Sequence, residues 1–354
     1  MKAKFQKQLK ELTYLYVASS MAFWKSYLDE PLISMGFTFT SPLEYAARFL
    51  FNKSNDPIFI EYTNVPNRFS MLMGLGFNVD GILDDVADIE SPIGVSLGVG
   101  ANLFFNGEGD LEFLSASRMA MHMPWDAGVI AGILIRPCET LCDNEILKSI
   151  KVGVSYNQGM EMKMDFNMKV EDEAIAIWSY DSYSPDQLRF GLSVDPLENL
   201  IVALEVTRVG WSNFKPPFWI AENKPERSGM LYMVLGDVFL PAEYDAFYDK
   251  FNNIWVPRVG VEYSLLDDLL KLRGGYFFRL SPVPDQTQET NFIDCDTHAV
   301  SFGSGYTILD NISVSIHGQW RMLVEREMKK DDRDATITGS GNAWNTGITL
   351  SVDL

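Results

Sequence analysis

Residues 271–288, KLRGGYFFRLSPVPDQTQ, decide how the chain is read. Together with Leu270, the stretch sorts by parity: Leu270, Leu272, Tyr276 and Phe278 fall on one side, and Lys271, Arg273, Phe277 and Arg279 on the other. Successive side chains of a strand point to opposite faces, so this is a ribbon with an apolar face and a charged one. Pro282 and Pro284 end it, because proline cannot donate a ladder hydrogen bond.

The same alternation recurs along the chain. In VSIHGQWRM, Val314, Ile316, Trp320 and Met322 oppose Ser315, His317, Gln319 and Arg321; in GITLSVDL, Ile348, Leu350 and Val352 oppose Thr349, Ser351 and Asp353. SIKVGVSYNQ sets Ile150, Val152, Val154 and Tyr156 against Lys151, Gly153, Ser155 and Asn157. A soluble sandwich also alternates, but its strands run to roughly five or six residues and its outer face is fully solvated. Here the runs reach ten or more, and the polar face is rich in glycine. That pattern predicts a transmembrane antiparallel β-barrel with apolar residues toward lipid and small or polar ones toward the lumen.

Turn lengths point the same way. VDPLENL, SLLDDLL and YTILDNIS are short connections, whereas those near 213–253, 282–296 and 324–335 are long, and the two kinds alternate through the C-terminal half. Tight periplasmic turns and extended external loops produce this asymmetry. Strands are expected near 31–41, 67–78, 92–105, 125–136, 147–170, 186–195, 199–211, 254–265, 269–281, 297–308, 311–323 and 338–354, with one or two more before residue 30. The total is about 14, in one domain over 31–354. Residues 1–30 read as an N-terminal segment: a truncated plug, a first strand or a signal remnant.

Composition removes other classes. The 354 residues are 47% hydrophobic, yet no apolar run is long enough for a membrane-spanning helix. A net charge of −19 excludes a nucleic-acid partner, since phosphate binding depends on released counterions. Cys138, Cys142 and Cys295 are too few for a disulfide framework and lack zinc-site spacing, although Cys138 and Cys142 can pair. His122, His298 and His317 fall on separate strands, and no nucleophile elbow, zinc-protease helix or phosphate loop is present, so no enzyme, metal or cofactor is expected.

At the candidate sites, Arg258 and Glu262 share the inward parity of one strand, and Lys271, Arg273 and Arg279 that of the next, so opposite charges can pair across the ladder. Either they hold register, or Lys271 or Arg273 is left to meet an anion. The long loop from Asn213 to Asn253 carries Leu231, Met233, Phe239, Phe247 and Phe251, either as a greasy landing surface or as a cap over the barrel. Met160, Met162, Met164 and Met168 read as a strand face rather than a metal site.

WVPRVGVEYSLLDDLLKLRGGYFFRLSPVPDQT, beginning at Trp255, followed by DCDTHAVSFGSGYTI from Asp294, resembles the C-terminal half of the FadL/TodX outer-membrane transporters of long-chain fatty acids and other hydrophobic compounds. Weaker similarity runs upstream through VALEVTRVGWSNF, AGILIRPCETL and FTFTSPLEYAARF. The resemblance implies a 14-stranded monomer in the bacterial outer membrane, in contact with its lipid and lipopolysaccharide. It implies passive uptake of long-chain fatty acids or similar hydrophobic molecules. Lys271, Arg273, Arg258, Phe239, Phe247, Leu231 and Met233, singled out by strand parity and loop composition, are the ligand-binding candidates. An aqueous porin and a structural or adhesive barrel are the alternatives. The family's Asn-Pro-Ala hatch is not recognisable before Thr13, Thr297 stands where arginine is expected, and Leu354 replaces the customary terminal phenylalanine.

Overall fold

The computed structural model describes residues 2–3, 14–25, 31–42, 57–60, 70–89, 91–105, 107–113, 117–138, 141–170, 173–221, 239–240, 250–286, 290–309, 311–330 and 336–352. In chain order the strands are β1 (Lys2–Ala3), β2 (Tyr14–Lys25), β3 (Pro31–Pro42), β4 (Pro57–Phe59), β5 (Ser70–Asn78), β6 (Gly94–Phe104), β7 (Gly107–Phe113), β8 (Ser117–Met123), β9 (Asp126–Arg136), β10 (Lys151–Asn157) and β11 (Met160–Val170). They continue as β12 (Glu173–Ser184), β13 (Asp186–Leu197), β14 (Leu200–Gly210), β15 (Trp219–Ala221), β16 (Phe239–Leu240), β17 (Ile254–Leu265), β18 (Leu270–Arg279), β19 (Asn291–Ile293), β20 (Thr297–Leu309), β21 (Ile312–Lys329) and β22 (Thr336–Val352).

Fourteen strands form one sheet in the order β1-β22-β21-β20-β18-β17-β14-β13-β10-β9-β6-β5-β3-β2. Every pairing in it is antiparallel except the two-residue contact of β1 with β22. This is the strand meander of a transmembrane β-barrel. Its outward parity is apolar and open: Val259, Val261 and Tyr263 on β17, Leu272 and Tyr276 on β18, and Val300, Phe302 and Tyr306 on β20 are all 38–58% exposed. An apolar band of that extent needs lipid rather than water as its neighbour.

Tight turns join β13 to β14, β17 to β18 and β20 to β21 at one end, and the long connections lie at the other. In the N-terminal half the periplasmic connections are longer and carry helices, α1 (Val79–Ala87) and α2 (Glu145–Lys148). The second also holds the Cys138–Cys142 disulfide.

Two sequence expectations are overturned. The connection expected over 324–335 is strand in its first half, because β21 runs on to Lys329 before β22 begins at Thr336. Residues 147–170 are not a single strand: β10 belongs to the barrel, whereas β11 joins a second, six-stranded sheet, β16-β15-β12-β11-β8-β7, built from the external connections. After the interruption at Gln158 the even-numbered apolar set resumes in phase at Met160, because both strands are amphipathic, so periodicity does not register the change of partners. The break is at Gly159, where a Cβ would sit 2.8 Å from the Asp186 nitrogen and 3.0 Å from the Ser184 carbonyl oxygen. Of the methionine stripe, Met160, Met162 and Met164 are buried here.

Candidate functional site

The lumen face of β17, β18, β20 and β21 is organised in rows set by the ladder register. A row near the periplasm places Lys271 beside Gly305, and the next one outward places Glu262 beside Arg273 and Gly303 beside His317. Arg273 Nε donates to Glu262 Oε2 at 2.5 Å, and Lys271 Nζ lies 3.8 Å from Glu262 Oε1. Gly260, Gly275, Ser301 and Gln319 follow, and then Arg258, Phe277, Ala299 and Arg321.

In that last row the ring of Phe277 is bracketed by two guanidinium groups, Arg258 at 5.6 Å and Arg321 at 5.9 Å from its centroid. Both distances suit attraction of a cation to an aromatic face. Arg258 Nη1 also donates to Thr207 Oγ1 at 2.6 Å and to Glu205, and Arg321 Nε donates to Gln319 at 2.6 Å.

One step outward the wall is sealed over β14, β17, β18 and β20. Thr207, Val256, Arg279 and Thr297 are 0%, 2%, 7% and 1% exposed. Above them sits an apolar cluster drawn from several external connections, including Ile58, Trp211, Phe214, Phe218, Phe251, Val283 and Phe292, with Phe277 packed against it. Phe214 stacks on Phe251 at 4.3 Å, and Phe292 meets both rings edge-on at 5.7 Å and 5.3 Å. Rings in these arrangements gain more than their buried area alone supplies.

The SPVPD and DCD motifs hold this seal in place. Arg279 Nη2 donates to Asp294 Oδ1 at 2.8 Å in a pair whose side chains are 8% and 3% exposed. The Ser281 amide donates to Asp296 at 2.8 Å, and Arg326 donates to Ser281 Oγ, the Val283 carbonyl and Asp285. Cys295 lies inside the same network, and burial, reinforced by the adjacent Asp294 carboxylate, pushes its thiol up to about 11.

Adjoining this wall, along β6, β9, β10, β13 and β14, is a cavity of about 390 Å³, floored by Gly98, Gly132, Gly153 and Gly191 and edged by Arg189 and by Glu205, the partner of Arg258. Arg189 Nη2 donates to Gln187 and makes no ion pair among the described residues. The structure therefore brings Arg258, Lys271 and Arg273 to one lumen wall, with Lys271 and Arg273 sharing Glu262. Phe239 lies in β16, paired in parallel with β15, while Leu231, Met233 and Phe247 lie outside the described residues. Sequence reasoning passed over Arg189 as a cation and Arg321 as a bracket for Phe277. Their inward parity, beside Gly191 and Gln319, was the available signal.

Fold and lumen together define an outer-membrane β-barrel whose external mouth is packed with aromatic side chains. The sequence pattern of the outer membrane protein transport protein (OMPP1/FadL/TodX) family matches residues 142–353, which is 212 of 354, and the chain belongs to that family. A FadL homologue of Pseudomonas aeruginosa superposes with a TM-score of 0.53 at 13% identity, covering 95% of this chain and 76% of that one. A TodX monoaromatic hydrocarbon channel lacking S2 gives 0.51 at 12% identity, covering 97% and 83%. At these identities the likeness is one of fold. A search of curated protein sequences returns no match.

Proposed function

We propose that this chain is a passive outer-membrane channel that takes up long-chain fatty acids or similar hydrophobic molecules bearing an anionic head. The carrying observation is the juxtaposition of an aromatic cluster at the external end with a cation-rich lumen patch directly beneath it. In a chain of net charge −19, that patch gathers Arg189, Arg258, Lys271, Arg273 and Arg321 against the carboxylates Glu205 and Glu262. A neutral arene has no use for such a surplus, whereas a carboxylate gains charge-assisted hydrogen bonds from it. Arg258, Lys271 and Arg273 are the head-group candidates, and Leu231, Met233, Phe239 and Phe247 the external apolar candidates.

An aqueous porin would share the cationic wall but not the packed mouth. The deciding experiment is equilibrium binding of a fluorescent long-chain fatty acid to the full chain in detergent, with the matching fatty alcohol and toluene as competitors. Saturable binding, displaced by unlabelled acid and weakly by the alcohol, supports the proposal. Absence of saturation, or equal displacement by toluene, removes it.

A further inference from the structure

The geometry points to the Arg258–Phe277–Arg321 layer as a gate of this channel, a step that a solute crosses among the described residues between the external cluster and the lumen below it. The inference rests on the channel reading above, and deepens it by naming the residues that select what passes. Burial changes abruptly at this level. Outward of Phe277 the lumen-facing Thr207, Val256, Arg279 and Thr297 on β14, β17, β18 and β20 are all buried, with Arg189 and Leu323 half-buried at either end of the row, whereas the Arg273 and Lys271 side chains on the periplasmic side are 46% and 40% exposed. Phe277 is half-buried between these zones and is the aromatic residue of its row.

The surroundings of the ring dictate how it can move. Val256 and Thr297 close the external side, whereas the next position on the same face toward the periplasm is Gly275, which offers no side chain to stop a rotating ring. Ala299, opposite Phe277 in the ladder, is 1% exposed, so the ring and its neighbours already cover that strand. The guanidiniums of Arg258 and Arg321 hold the ring from either side through its electron-rich face. An apolar solute arriving from the external cluster can replace Phe277 against that cluster. Arg258, held by Glu205 and Thr207, and Arg321, held by Gln319, then flank the opening and face an anionic head, so the layer selects amphipathic anions over neutral solutes of equal size.

Two measurements on the full chain test this without any fatty acid. In planar bilayers the unaltered protein is expected to show little ionic conductance. Phe277→Ala raises it severalfold, and Phe277→Leu, which keeps an apolar side chain there, stays near the unaltered level. A Phe277→Ala protein that remains heat-modifiable on gels yet conducts like the parent overturns the gate. Should Phe277→Ala fail to assemble, Ser301→Cys in the otherwise unaltered chain gives an independent reading, because Ser301 lies one row to the periplasmic side of Phe277. A membrane-impermeant maleimide is expected to label it from the periplasmic side and not from outside intact cells; labelling from outside overturns the inference. Loss of fatty-acid binding with both results intact would remove the substrate reading and leave the gate standing.

Discussion

On β3, β5, β6 and β9 the lumen-facing positions include Ser34, Gly36, Gly74, Gly76, Gly98, Gly100 and Gly132, whereas on β13, β14, β17, β18 and β21 they include Arg189, Glu205, Arg258, Glu262, Lys271, Arg273 and Arg321. Both halves obey one ladder and one outward apolar face, so the lipid boundary does not distinguish them. What differs is what the polar face is for. The first half keeps its wall uncharged at these positions, with Leu72, Ile130 and Leu134 interspersed, and leaves a cavity along it; the second fills the lumen with paired charge and carries the external seal. Periplasmic connections divide similarly, with helices on the first half and tight turns on the second. Most of the family match, residues 142–353, falls on the charged half, where side chains rather than backbone define the lumen.

Four experiments would break or sharpen that contrast. The largest effect is expected at the external seal: Asp294→Ala leaves Arg279 buried without its carboxylate and should cost about 3–5 kcal/mol. It would be read as a lower urea midpoint for protease cleavage between β18 and β20, and an unchanged midpoint would mean that the pair does not hold the seal. In the bare half, Gly100→Val is expected to cost about 1–3 kcal/mol by overpacking, because a Cβ there lies 2.5 Å from the Met73 carbonyl oxygen. Gly98→Ala, whose nearest contact is 3.9 Å, should be close to neutral, and equal losses for the two would show that close approach of strands is not the reason for glycine at position 100.

Smaller changes probe the charged rows. Glu262 is partly exposed, as are Lys271 and Arg273, so Glu262→Gln should cost under about 1 kcal/mol of stability. Releasing two cations should tighten fatty-acid binding severalfold, and weaker binding would place the head group elsewhere. The smallest effect is at Cys295, where burial favours the neutral thiol and sets the folded pKa near 11. Raising the pH through the ordinary thiol range, about 8–9, should therefore leave it unlabelled by maleimide in the folded protein and labelled once unfolded in hot detergent. Rapid labelling when folded would mean that the network around Asp294 opens.

Much of the barrel was legible from single residues. Ile254–Leu265 carries the strand expected over 254–265, and Leu270–Arg279 and Thr297–Leu309 lie within two residues of expectation, because each alternates and is followed within three residues by proline or aspartate. The strand before residue 30 is present as Tyr14–Lys25. The second sheet was not legible, since β10 and β11 share one alternation across Gly159. The site was visible only in part: parity placed Arg258, Lys271 and Arg273 on one wall, but no spacing rule shows that two of them converge on Glu262 while Arg189 makes no ion pair among the described residues.

The stretch 271–288 marks the boundary between the two kinds of knowledge. Period-two alternation over ten residues determines a membrane strand with Lys271 and Arg273 turned inward, because the pleat allows only two faces and lipid takes the apolar one. Tertiary structure alone decided that Phe277 lies between Arg258 and Arg321, that Arg279 is buried against Asp294, and that SPVPD folds over the mouth. Those contacts join residues from separate strands and loops, and their distances depend on register and loop path, which no local pattern contains.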